Sequence, residues 1–248
     1  MAFDDQRIPE CKTEIVSLPA IMLDMQIGKL RILDFHRPFV WGVEQMIGLL
    51  DSIRKQYPTG SLVVWETDYP LQSRESVGPV HIGPSESRAM HLYLLDGQQR
   101  LTTLLGCFLG RHPRANRHSD DPRWRMVYNA KNNFFEHLEP SSHEEVWHFP
   151  LFACIDTLCF LQESQRMRRE GGQHGEAYVE RVQSLARLLH AYRIPLIRIR
   201  NAGLADAIEI AVRLNTHGQT MTALEAGELE RVLRHHDSEP QDSAMGNG

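Results

Sequence analysis

The stretch HLYLLDGQQRLTTLLGCFLG, residues 91–110, sets an acid, a glycine, two amides and an arginine between two apolar runs. Those residue types suit the handling of a phosphate. If a helix begins at Gln98, its first backbone N–H groups lack partners within the helix and its end carries partial positive charge, which favours an anion. Gly97 lets the backbone come close. Arg100, in the first turn, can fork two donors onto phosphate oxygens, while Gln98 and Gln99 can orient a water or read a sugar or base edge. Asp96, at the end of the preceding strand, can hold Mg²⁺ directly or through water. Taken by itself the string also reads as a helix cap at Asp96, a turn former at Gly97 and surface polarity beyond them.

The pattern around the cluster predicts the elements that must position it. HLYLL reads as a strand, and Leu101, Leu104, Leu105, Phe108 and Leu109 recur at helical spacing, so the five polar residues sit at a strand-turn-helix junction. Upstream, Val43, Ile47, Leu50 and Ile53 form one stripe of an amphipathic helix over 43–56. YPTG stops it, and SLVVWET follows as a buried strand. Residues 68–90 are rich in Ser, Pro and Gly and read as a surface loop. RMVYN reads as a further strand, residues 141–161 give no clear period, and the polar segment 162–176 with Gly171 and Gly172 reads as a mobile loop. Helical period returns in AYVERVQSLARLLHAY. RIPLIRIR alternates as a strand, LADAIEIAVRLN is a helix, and Thr222 with Glu225 makes a capping box for a last helix. The expectation is one α+β domain over 1–236, with a polar, disordered tail over 237–248.

Bulk properties narrow the class. A chain of 248 residues with 42% hydrophobic and 24% charged residues can bury a sizeable core and is neither fibrous nor wholly disordered. No apolar run is long enough to span a membrane, and the N-terminal MAFDDQRIPECK is acidic where a secretory signal would be basic and then apolar, so a cytoplasmic location is expected. Cys11, Cys107, Cys154 and Cys159 show no CxxC and no Cys/His spacing that frames a metal; the last three read as core residues. The net charge of −5 leaves any grip on nucleic acid to local patches, such as Arg111, Arg114, Arg117, Arg123 and Arg125, or Arg166, Arg168 and Arg169.

LLDGQQRLTTL resembles the signature of the bacterial DGQQR-motif family, a ParB/sulfiredoxin-like domain that forms the N-terminal part of GmrSD-type modification-dependent restriction enzymes and related phage-defence proteins. Three more blocks agree in order: RILDFHRPFVW (31–41), LLDSIRKQYPTGSLVVW (49–65) and VRLNTHGQTMTALEAGEL (212–229). The resemblance implies a ParB/sulfiredoxin-like mixed sheet with flanking helices, and a nucleoside triphosphate bound with Mg²⁺ and hydrolysed. It implies catalytic roles for Asp96, Gln98, Gln99 and Arg100, with Asp96 as metal ligand, and nucleotide contacts from Gly97, Arg37, Asn215 and Gly218. Arg111, Arg114 and Arg117 are the expected DNA contacts, and DNA, modified or not, is the expected partner.

Leu33 stands where the family has proline and His36 where it has glutamine, so modification specificity does not carry over. Family enzymes continue into an HNH-type nuclease domain. His235 and His236 lack a partner constellation for one, so the nuclease is expected to be a subunit or domain of another chain, or to have been lost by truncation. Two other readings stay open. The domain is itself a ParB-like metal-dependent nuclease using Asp96, Glu66 and Glu225, or it is a non-catalytic module that binds DNA or protein.

Overall fold

A computed structural model describes residues 8–34, 38–84, 90–113 and 121–216, with the side chains of 215 and 216 excepted. In chain order the elements are β1 (Glu10–Ser17), α1 (Leu18–Gln26), β2 (Leu30–Ile32), α2 (Val43–Arg54), β3 (Leu62–Thr67), β4 (Ser76–Val77), β5 (Val80–His81), β6 (His91–Asp96) and α3 (Gln98–Leu109). There follow β7 (Met126–Asn129), β8 (Phe134–His137), β9 (His148–Pro150), α4 (Thr157–Glu170), α5 (Gly175–Ala191), β10 (Arg193–Arg200) and α6 (Leu204–Thr216). The content is α+β, as expected.

The central sheet has the order β1-β10-β3-β6-β2 and is mixed: β10 pairs parallel with β3, β6 pairs parallel with β2, and the β1/β10 and β3/β6 pairs are antiparallel. The alternation within its strands explains the layering. On β3, Leu62 and Val64 join the large core that α1, α2, α3 and α5 cover, while Val63 and Trp65 join a smaller cluster with Tyr93, Leu95, Ala207 and Ala211 beneath α6. A strand covered on both faces must be apolar at successive positions, which is why SLVVWET reads as an unbroken run. Trp65 donates its ring N–H to the Ala202 carbonyl at 3.0 Å, so the smaller cluster buries the indole without leaving its polar atom unpaired. In the same cluster burial pushes the Tyr93 phenol pKa up, and its hydroxyl accepts from the Leu71 N–H at 2.7 Å.

Two expectations are corrected. Residues 162–176 are not a loop: α4 runs to Glu170, a 3-10 turn spans Gly172–His174, and α5 starts at Gly175. Asp156 caps α4 by accepting from the Cys159 N–H at 2.9 Å, and ion pairs such as Arg166–Glu163 at 2.7 Å line its surface. Its only fully buried side chains are Cys159, Ser164 and Met167, so a helix that lies on the surface looks like a polar loop in sequence. The 68–90 segment also contains the small β4/β5 hairpin between its irregular stretches. The capping box at Thr222 and Glu225 lies outside the described residues.

Candidate functional site

Asp96 ends β6 and Gln98 begins α3, with Gly97 between them as helix cap at φ +101°. An L side chain there would be strained, and its Cβ would fall 2.3 Å from the Leu62 Cδ2 atom. A glycine is therefore required to turn β6 directly into α3. Unlike a surface amphipathic helix, α3 is buried almost all round: of its residues only Arg100 is not buried. The DGQQR segment thus lies inside the domain, at the start of its central helix.

The two amides and the arginine make specific bonds to neighbouring loops. Gln99 accepts from the Val40 N–H at 2.9 Å and donates to the Pro38 carbonyl at 3.0 Å, clasping the 38–40 backbone by both ends of its amide. Arg100 donates through Nη1 to the Thr59 carbonyl at 2.7 Å and through Nη2 to the Ser61 carbonyl at 2.9 Å and to Asp96 Oδ2 at 3.0 Å. Gly60 sits between those two carbonyls at φ +84°, and a Cβ there would be 2.5 Å from Arg100 Nη1. The YPTG glycine is needed for that close approach. Gln98 is buried beside them, 7% exposed. One five-residue string therefore fixes the two loops, 38–40 and 59–61, that flank the start of α3.

Of the other residues singled out from sequence, Arg37 and Gly218 lie outside the described residues, as do Arg114 and Arg117. Asn215 falls in the last turn of α6, but its side chain is outside the description. Arg111 lies past the opposite end of α3 and sits 3.8 Å from Glu144. Arg123 pairs with Asp121 at 2.8 Å and Arg125 donates to the Glu139 and Ser142 carbonyls. Arg166, Arg168 and Arg169 each pair with a glutamate on α4 or at the start of α5. Glu66 does not approach Asp96: it bonds Arg198 and Arg200, and Arg198 also reaches Glu14 at 3.1 Å. Glu225 lies outside the described residues.

Sequence spacing did not reveal a second polar cluster. His112, just past α3, brings its Nε2 to 3.3 Å from Asp156 Oδ2, and Cys159 stands in the first turn of α4 beside them. The thiols of Cys107 and Cys154 are buried, and burial pushes their pKa values far up, in keeping with core roles.

The class defined by this architecture is an α+β domain whose mixed sheet delivers a DGQQR turn to the start of a buried helix. Residues 20–227 match the family model described as the GmrSD restriction endonuclease N-terminal domain, and the chain belongs to that family. It is thus a component of a restriction, phage-defence type of system. A comparison with curated proteins returns no match. Among the described residues, no helix is long and apolar enough to cross a membrane.

Proposed function

We propose that the chain is the nucleoside-triphosphate-binding sensor of a restriction system, that it hydrolyses the nucleotide, and that it acts on DNA together with a nuclease. The observation that carries this reading is the β6–Gly97–α3 junction. It sets the start of a helix, where backbone dipoles favour an anion, between two loops held at fixed positions by Gln99 and Arg100. The Arg100 fork is already engaged with the Thr59 and Ser61 carbonyls, so its part is to shape the 59–61 wall and to supply positive charge from within it. Pro38, which Gln99 holds, is one peptide bond from Arg37, the proposed second phosphate contact.

Asp96 fits a Mg²⁺ role by its chemistry. Its side chain is 34% exposed, and Mg²⁺ takes one or two carboxylates while keeping waters and substrate oxygens as its other ligands. Bound there, the ion would neutralise phosphate charge. The test is titration of the purified chain with ATP, GTP, CTP and UTP in the presence of Mg²⁺, with phosphate release and plasmid integrity followed in parallel. Binding of at least one triphosphate, weakened about tenfold or more by Asp96→Asn, is the expected result. If no triphosphate binds, the reading fails. Binding without phosphate release would make the domain a non-catalytic module. Robust plasmid cleavage lost in Asp96→Asn would make it a nuclease.

A further inference from the structure

The second polar cluster is independent of the DGQQR turn. The helix α3 has 12 residues and so is about 18 Å long, and His112 lies past its far end from Asp96. There the chain brings together three side chains of different ligand chemistry: an imidazole from His112, a carboxylate from Asp156 and a thiol from Cys159. Their candidate ligand atoms all lie within 4.8 Å of one another. We propose that His112, Asp156 and Cys159 form a binding site for a zinc-class divalent cation.

Distances support the assignment. Zinc bonds nitrogen and oxygen at about 2.0–2.1 Å and sulfur at about 2.3 Å, so tetrahedral ligand atoms stand roughly 3.3–3.6 Å apart. His112 Nε2 and Asp156 Oδ2 are already 3.3 Å apart. The widest separation in the cluster, at most 4.8 Å, closes to that range by about an ångström of side-chain adjustment. The mixed nitrogen, oxygen and sulfur set favours zinc over magnesium or calcium, which take oxygen ligands almost exclusively.

The surroundings also resemble those of a metal site. The Cys159 backbone N–H holds Asp156 Oδ1 at 2.9 Å, which orients the carboxylate with its other oxygen toward His112. The His112 ring meets the Phe152 ring at 74° with centroids 5.7 Å apart, which limits how it turns. His112 and Asp156 side chains are 14% and 17% exposed, and Cys159 is 7% exposed, so the ligands are shielded yet reachable. Asp156 also lines a cleft of about 320 Å³ between α4 and α5, whose walls include Phe160, Gln183 and His190. Three protein ligands leave the fourth position to water or to a small ligand, the format of a zinc site that binds rather than merely staples. Coordination replaces the Cys159 S–H proton with the metal and releases that proton to solvent.

The experiment uses the full chain, stripped with chelator and titrated with Co²⁺ as a spectroscopic stand-in. One equivalent should produce intense visible bands of tetrahedral cobalt and a thiolate-to-cobalt charge-transfer band, both removed by Zn²⁺. Cys159→Ser should abolish the charge-transfer band, and Cys11→Ser, at the exposed cysteine on β1, should leave it intact. His112→Gln should weaken zinc by about tenfold or more, and it serves as the deciding variant if Cys159→Ser does not fold. Absence of the charge-transfer band in the wild-type chain overturns the proposal, as does its persistence in folded Cys159→Ser, its loss in Cys11→Ser, or unchanged zinc affinity in His112→Gln.

Discussion

At its N-terminal end α3 meets the rest of the domain through side chains that bond to backbone; at its C-terminal end, through side chains that face one another. Gln99 and Arg100 satisfy carbonyls and an N–H of the 38–40 and 59–61 loops, so those side chains act as fixed parts of the scaffold. His112, Asp156 and Cys159 set ligand-type atoms within 4.8 Å of one another. A polar cluster engaged with the backbone shapes a site by holding its walls, whereas one whose members face each other gathers different donor atoms at ligand spacing. The same helix thus carries one end whose polar side chains hold the walls of a site and one end beside which polar side chains gather at ligand spacing.

The largest expected effect is at the first end. Gly97→Ala must hold an L residue at a strongly positive φ and press its Cβ into Leu62, and should cost about 2–4 kcal/mol in chemical denaturation. A cost below about 1 kcal/mol would show that β6 and α3 join less rigidly than described. Arg100→Ala comes next. It strips donors from the Thr59 and Ser61 carbonyls, so about 2 kcal/mol should be lost, with Arg100→Lys recovering only part because an ammonium does not reproduce the fork. Gln99→Ala frees the 38–40 backbone from two bonds and should cost about 1–2 kcal/mol, with faster amide exchange at Val40 as the local readout.

At the other end, His112→Gln in metal-free protein should cost about 1 kcal/mol, less than Arg100→Ala, since a glutamine amide can still donate to Asp156. A loss as large as that of Arg100→Ala would erase the contrast between the two ends. The smallest effect belongs to the Glu14–Arg198–Glu66 network, remote from both. Burial would raise the Glu14 carboxyl, but bonded Arg198, aided by Lys12, outweighs it and holds the pKa below its ordinary 4.5. A depressed folded pKa means that this stability is full above the unfolded value and is lost as pH falls through the folded one. Thermal melts should therefore decline below pH 4.5, and Glu14→Gln should make that decline shallower.

The DGQQR junction was legible because its parts are contiguous: a strand, a glycine and a helix in one stretch declare both the turn and the residues at it. Even so, the sequence did not show that Arg100 holds Thr59 and Ser61. Their carbonyls belong to backbone, which no residue type announces. The strands β3, β6 and β10 were legible from β-branched and alternating runs. By contrast α4 was hidden, because only three of its side chains are fully buried and its stability comes from an Asp156 cap and glutamate–arginine pairs that a loop could equally contain. The His112–Asp156–Cys159 cluster could not be read from spacing, since its members come from two helix ends that only the fold brings together.

The position of β10 has a consequence for how the chain acquires its shape. Glu10 pairs with Arg200 and Ser17 with Arg193, while the other edge of β10 pairs with β3 from Leu196 to Ile199. Of the sheet's described strands, the one made last is inserted between two made early. Until the ribosome has delivered residue 200, β1 has no neighbour and β3 offers an open row of N–H and C=O groups on one side. Closing a sheet across so great a sequence separation is entropically slow, which puts this domain among high-contact-order folders. Through most of its synthesis the nascent chain therefore exposes strand edges that can pair with other chains, and it is in that interval that it is most exposed to aggregation and most dependent on chaperones.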